Sequence, residues 1–354
     1  MCGQSGGRLY PRLRDRLFGV SGEWSLSECR RCGLAWLDPM PIEAEIHRLY
    51  PDTYYTHARR PDDGGEGDDG HGDAPGRSGG TAPASDSTSA SSSPGAWLRD
   101  AVLAGALGYR HLAGSPAQAR LGRWLALLAP VRRRAEQSVR GLTYRAGGRL
   151  LDVGCGGGAF LVWARRLGWE VVGVDPDPGA VRAARGHGLE VHVGTLDEVE
   201  LGAARFDAIV LNHVIEHVSD PVGTLAASRR LLRADGCIVV VTPNVHSLGH
   251  RLFGRHWLHL DPPRHLYLFS PESLRRCAVR AGLRVERLET RTHEAVRSWR
   301  ASRDIARRGR WSPREADPGP IDRTVGHAFR AIEAAANVVW PCGEEVWLTA
   351  SDGR

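Results

Sequence analysis

The feature that most restricts the fold is a short apolar run, Arg149 to Val153, that ends in Asp152-Val-Gly154-Cys155-Gly156-Gly-Gly158 and passes directly into a helical pattern at Ala159. A strand that turns at once into a helix needs residues that tolerate positive φ and let backbone amides approach a ligand, and glycine supplies both. The amino terminus of the following helix favours a negative group such as a carboxylate. Seventeen residues after Gly158 a second apolar run closes on Asp175, a carboxylate placed to accept hydrogen bonds from two ribose hydroxyls. Turn and carboxylate together describe a nucleoside pocket at the ends of neighbouring parallel strands.

From Gly148 onward, short apolar runs alternate with amphipathic helices, the pattern of a parallel sheet covered on both faces. Strands are predicted at 149–153, 170–174, 189–193, 206–211 and 237–242, with later ones near 284–290 and 344–350. Helices are predicted at about 159–167, 178–187, 221–233, 271–281 and 323–339. The fold class is therefore α/β, a seven-stranded, mostly parallel sheet occupying 147–354. Ahead of it, 96–146 reads as a helical lead-in of two patterns, 96–113 and 117–142. The second sets Leu121, Trp124, Leu125, Leu128 and Val131 at helical spacing before Arg132-Arg-Arg134. Such a stripe is expected to pack on its own domain; the other reading is peripheral contact with a membrane surface. Residues 59–95 are rich in Gly, Ser, Asp and Pro and read as a disordered linker, since they lack the apolar surface to offset their ordering entropy. Residues 1–58 form a cysteine-containing amino-terminal segment.

Composition narrows the function classes. No apolar run approaches the roughly 18 to 20 residues of a bilayer span, and Met1-Cys-Gly-Gln-Ser-Gly carries no basic segment followed by an apolar stretch, so a cytoplasmic location is expected. The formal charge is +6, yet every basic Lys or Arg is Arg and these are scattered over most predicted helices, which argues against a nucleic-acid surface. Seven cysteines at irregular spacing do not make a disulfide framework.

The run Leu150-Leu-Asp-Val-Gly-Cys-Gly156, followed by Gly173-Val-Asp175 and Glu216-His-Val218, resembles the class I S-adenosylmethionine (SAM)-dependent methyltransferases, densely over 148–290. The resemblance implies a Rossmann-like sheet, SAM as cofactor and methyl transfer to O or C of a small molecule, lipid or saccharide precursor. By position it implies that Asp152 meets the methionine end of SAM, that Gly154, Cys155, Gly156 and Gly158 form the turn, and that Asp175 and Pro176 lie at the ribose. It likewise places Thr195 and Leu196 beside adenine, and Asn212 and His213 near the sulfonium. An NAD(P)-dependent oxidoreductase is the alternative for the glycines, because Gly154-x-Gly156-x-x-Ala159 satisfies a loose dinucleotide fingerprint. Asn212-His-Val-Ile-Glu-His217-Val and Thr242-Pro-Asn244, at the spacing that this resemblance uses, favour the methyltransferase. There is no Asp/Asn-Pro-Pro-aromatic motif after the fourth strand for nucleic-acid amino-group chemistry.

Two histidine clusters are candidates for activating a methyl acceptor. His213, Glu216 and His217 stand at i, i+3 and i+4, so one helical turn faces all three the same way, towards a divalent ion or a proton. The segment is similar to the ubiquinone-pathway O-methyltransferases, whose set there is Glu, Glu, His, with His213 here in the first position. The stretch Trp257 to Ser270 is aromatic, basic and bounded by prolines; it reads as a substrate-facing loop, with His265 as a candidate general base. That loop leads into a Phe-Ser helix cap, as it does in the sugar C-methyltransferases that it resembles. Cys29-Arg-Arg-Cys32 likewise looks like the second knuckle of the zinc ribbon that precedes many such enzymes. With Cys2 it offers three of the four ligands that a structural zinc ion needs; the alternative is a metal-free hairpin. A non-catalytic SAM-binding, ribbon-bearing module stands as the rival from another functional class.

Overall fold

The computed structural model describes residues 2–46, 49–50, 93–203, 205–312 and 319–353. Most of the expected linker falls on 51–92, outside the described residues. The elements begin with β1 (Gly7–Leu13), β2 (Trp24–Glu28), β3 (Ala35–Asp38) and α1 (Glu43–Ile46), then α2 (Pro94–Ala106), α3 (Pro116–Leu125) and α4 (Ala129–Ser138). The alternating part runs β4 (Arg149–Val153), α5 (Ala159–Arg166), β5 (Glu170–Asp175), α6 (Pro178–Gly186), β6 (Glu190–Val193), β7 (Phe206–Asn212), α7 (Pro221–Leu231), β8 (Leu232–Pro243) and α8 (Leu248–Phe253). It closes with β9 (Tyr267–Leu268), α9 (Pro271–Arg280), β10 (Leu283–Arg291), α10 (Ala295–Arg308), α11 (Pro320–Val339) and β11 (Glu345–Asp352).

All seven predicted strands form one sheet, in the order β10-β11-β8-β7-β4-β5-β6. β4 and β8 run parallel to β7, and β6 parallel to β5, while β11 is antiparallel to both of its neighbours. β7 is buried from Phe206 to Leu211, as a strand covered on both faces should be, which is why from Ala208 to Leu211 it reads as a continuous apolar run rather than an alternating one. The chain leaves β4 in one direction through β5 and β6 and returns on the other side through β7 and β8. This reversal opens a crevice beyond the carboxyl ends of β4 and β7, where open α/β sheets bind ligands. A second, four-stranded sheet joins β1, β2 and β3 to β9, so the amino-terminal segment is stitched onto the 257–270 loop.

The described residues divide into two compact units, one drawn from within 1–59, 149–161 and 171–354, the other from within 60–148 and 162–170. In the second, the 117–142 pattern is not one helix. Pro130 cannot donate to the preceding turn and its ring crowds the carbonyl four residues back, so α3 ends at Leu125 and α4 starts at Ala129. The apolar stripe does not pack as expected either. α3 buries Gln118 and Gly122 instead, because a methyl group on Gly122 would overlap the Ala101 carbonyl of α2 and only glycine permits that approach. Leu121 and Trp124 are thereby turned outward.

Candidate active site

Four strand ends supply the site. At the tip of β4, Gly154 has φ +70° and Gly156 φ +54°, and a methyl group at Gly154 would sit 2.5 Å from Val214 Cγ2; the turn is therefore reserved for glycine. Asp175 is buried at the end of β5, where it accepts hydrogen bonds from Gly156 N (2.8 Å) and Asp177 N (2.9 Å). The turn and the carboxylate that the sequence pairs are thus adjacent. Asp152 and Cys155 are buried beside them, and Pro176 is exposed between Asp175 and Asp177, the cap of α6. Beyond β6, Thr195 is exposed and donates through Oγ1 to Glu198 (3.1 Å), while Leu196 packs on the core. At the end of β7 the buried Asn212 Oδ1 has no hydrogen-bond partner, an acceptor that a ligand donor can satisfy.

His213 follows Asn212 in a left-handed backbone conformation, φ +54°. Its imidazole lies between two buried carboxylates, with Nδ1 3.2 Å from Glu216 Oε1 and Nε2 2.9 Å from Glu345 Oε1. Burial works against the charged ring, but hydrogen bonds and charge from Glu216 and Glu345 raise its pKa to about 10. Burial likewise opposes a charged Glu216, and His213 overcomes it, holding that carboxyl at about 2. Thr242 donates to the other Glu216 oxygen at 2.9 Å. His213 is therefore a fixed cation near neutral pH, not a proton acceptor.

The other two histidines differ in kind. His217 Nδ1 is 3.0 Å from both the Arg264 carbonyl and the Tyr50 hydroxyl, and His265 Nδ1 is 2.7 Å from the His259 carbonyl. A carbonyl only accepts, so Nδ1 carries a hydrogen in each ring, and in a neutral ring this tautomer leaves the lone pair on Nε2. The rings meet edge to face with centroids 4.7 Å apart. Burial, then the neighbouring His265, lowers His217 to about 4, which keeps it neutral. Glu216, His217 and His265 each present a possible ligand atom within 4.8 Å of the others. The structure thus groups Glu216 and His217 with His265 in place of His213, and His213 is bonded to Glu216 and Glu345 beside them.

The loop bearing His265 is held by a buried ion triad. The Arg264 guanidinium is fully buried, with Nη1 and Nη2 donating to the two Asp15 oxygens at 2.8 and 2.7 Å and Nε donating to Asp261 at 3.1 Å. Burial raises the Asp15 pKa, but Arg264 outweighs it and the net shift is downward. Trp257 Nε1 donates to the buried Glu344 (2.9 Å) at the loop's start, and Ser270 Oγ donates to the Cys32 carbonyl (2.7 Å) at its end. Tyr50, Glu345 and Asp15 were not singled out by sequence reasoning. Each meets its partner across more than a hundred residues, where no local spacing exists to read. In the amino-terminal segment the sulfurs of Cys2, Cys29 and Cys32 converge within 4.8 Å of one another. The knuckle between the last two is closed by Gly33 N donating to the Cys29 carbonyl (2.8 Å).

A seven-stranded sheet in this order, with a glycine turn at the tip of β4 and an acidic residue at the end of β5, is the frame of a Rossmann-like methyltransferase. Residues 117–288 match the model of a family described as a methyltransferase domain. The chain is 30% identical over 178 residues to the ubiquinone biosynthesis O-methyltransferase of Azorhizobium caulinodans, covering 47% of this chain and 70% of that protein. It is 36% identical over 147 residues to the enzyme of that name from Cereibacter sphaeroides, covering 38% of this chain and 60% of that protein. The chain thus spans about 60% of the length of the latter relative. A SAM-dependent methyltransferase structure from Mesorhizobium loti aligns with a TM-score of 0.43 at 17% identity, over 61% of this chain and 96% of that one. The protein belongs to the SAM-dependent methyltransferase family.

Proposed function

We propose that this chain transfers the methyl group of SAM to an oxygen of a small-molecule acceptor, leaving S-adenosylhomocysteine. The observation that carries the reading is the His217–His265 pair, whose Nδ1 hydrogens are tied to backbone carbonyls, which in the neutral rings leaves the lone pairs on Nε2. The residues present fit SAM. Asn212 Oδ1 is a buried acceptor without a donor, and the positive φ of Gly154 and Gly156 bends the β4 turn so that its backbone faces the end of β5. In this reading Asp175, with Pro176 beside it, receives the ribose hydroxyls and Asp152 the methionine end. The turn of Gly154, Cys155, Gly156 and Gly158 receives the carboxylate. Thr195 and Leu196 flank adenine, and Asn212 and His213 lie near the sulfonium. Bound SAM supplies an electrophilic methyl group.

His265 takes the acceptor hydroxyl's proton at Nε2, the general-base role suited to an imidazole. His217 keeps the His265 ring in place, and His213, as a fixed imidazolium, holds Glu216 and Glu345 ionised behind them. The O-methyltransferase names of the relatives favour oxygen over carbon. Residues 147–354 act as the catalytic domain. The 1–58 segment supports the His265 loop, with Cys2, Cys29 and Cys32 contributing to a structural zinc site. Metal analysis of the purified chain should find one equivalent of zinc, lost in Cys29→Ser.

The test is incubation of the chain with methyl-labelled SAM and a metabolite and lipid extract, followed by identification of the labelled product. Label on an oxygen, absent with His265→Gln, is the expected result. Tight SAM binding without transfer would favour a binding module, and binding of a nicotinamide cofactor in place of SAM would overturn the reading.

A further inference from the structure

We propose that the turn joining α3 to α4 is a docking surface for a lipid bilayer carrying anionic headgroups. The observation that points there is the exposure of large apolar side chains at one place. Leu121 is 45% exposed, Trp124 71%, Leu127 74% and Leu128 55%. They are not scattered, because all four lie in the carboxyl-terminal half of α3 or in the 126–128 connection. The cause is the packing of α3 on α2, where Gly122 and Gln118 occupy the buried side and exclude anything larger than glycine at the closest point. Clustered exposed apolar surface of this kind marks an interaction site.

Charge selects the occupant. No acidic residue occurs between Asp100 and Glu136, whereas Arg120, Arg123, Arg132, Arg133 and Arg134 are all exposed around the patch. Arg132 is paired with Glu136 at 2.8 Å. An aromatic and aliphatic tip ringed by arginine is the composition that lies in the headgroup region of a membrane, apolar residues dipping inward and arginines meeting lipid phosphates. A second copy of the same surface would bring two arginine clusters together, which like-charge repulsion opposes. A nucleic acid would answer the arginines but leave Leu121, Leu127 and Leu128 without a partner, since aliphatic side chains offer bases no stacking platform. No helix among the described residues is long and apolar enough to cross a membrane, so the contact is peripheral. This inference does not depend on the methyl-transfer reading.

The experiment is co-sedimentation of the full chain with vesicles of phosphatidylcholine alone and of phosphatidylcholine with 30% phosphatidylglycerol, a composition chosen on the order of an anionic leaflet. Binding to the anionic vesicles is expected, weak binding to the neutral ones, and loss of binding in high salt. Each arginine near the surface should be worth about fivefold, so Arg132→Gln with Arg133→Gln and Arg134→Gln lowers the partition coefficient by well over tenfold. Trp124→Ala with Leu127→Ser should lower it by at least about tenfold through lost apolar burial. These side chains are exposed, so the variants keep the fold; quenching of wild-type tryptophan fluorescence by brominated anionic lipid provides a reading without any variant. Failure of the wild type to bind anionic vesicles, equal binding to neutral ones, or unchanged binding by both variants would overturn the proposal. So would a wild-type dimer that the Trp124 variant dissolves, which would assign the patch to a second copy, or retention on duplex DNA in place of vesicles.

Discussion

Replacing His213 with glutamine removes the cation bonded to both Glu216 and Glu345, two side chains that are 0% and 2% exposed. Breaking a buried ion pair by deleting one partner costs about 3–5 kcal/mol. The His213 ring is itself 30% exposed, and the glutamine amide still donates one hydrogen bond, so the expected loss is at the low end, about 3 kcal/mol. The dependence on pH has a definite sign. The His213 pKa is raised from 6.5 to about 10, so its contribution is complete below 6.5 and disappears as pH rises through about 10. The Glu216 pKa is lowered from 4.5 to about 2, so its contribution is present above 4.5 and disappears as pH falls through about 2. The stability gap between wild type and His213→Gln is therefore widest between pH 4.5 and 6.5. Above that window it should narrow by no more than about 1.4 kcal/mol per pH unit. Urea unfolding of both proteins at acidic, neutral and alkaline pH measures the gap. A gap near zero at the acidic point, or one that stays constant up to alkaline pH, would refute a charged His213 held by two carboxylates.

Three further outcomes follow from the same geometry. Asp15→Asn leaves the buried Arg264 with Asp261 as its remaining carboxylate partner and should lower unfolding stability by about 3 kcal/mol; an unchanged urea midpoint would show that the triad does not anchor the loop. His265→Gln should reduce kcat by roughly a hundredfold or more with SAM affinity unchanged, whereas a matching loss of SAM affinity would mean that the residue binds cofactor rather than acceptor. Tyr50→Phe removes the hydroxyl 3.0 Å from His217 Nδ1 but leaves the Arg264 carbonyl as partner, so kcat should fall by less than about tenfold, in line with one neutral hydrogen bond. Loss on the scale of His265→Gln would instead place Tyr50 among the reacting groups.

The catalytic frame was legible where structure is local. The turn from β4 into α5, Asp175 at the end of β5 and all seven strands follow from contiguous patterns, because glycine turns and buried parallel strands declare themselves within a few residues. The ion network was not legible, because His213 meets Glu345 and Arg264 meets Asp15 only through the folding of the whole chain. α10 was missed for a different reason. Its buried positions are Ala295, Ser298, Ala301, Ser302 and Ile305, mostly small or hydroxylated side chains, so the helical period was hidden within an arginine-rich composition. The stripe on α3 was visible but its direction was not. A sequence shows that Leu121 and Trp124 share a face, and only the close approach at Gly122 decides that this face is turned outward.

Joint binding of SAM by the β4 turn and Asp175 is measured by titration calorimetry of SAM into the wild-type chain and Asp175→Ala. One site is expected in the wild type and a loss of roughly thirtyfold or more in the variant, the cost of removing a charged acceptor from ligand hydroxyls. No heat of binding in the wild type, or equal affinity in the two proteins, would contradict it.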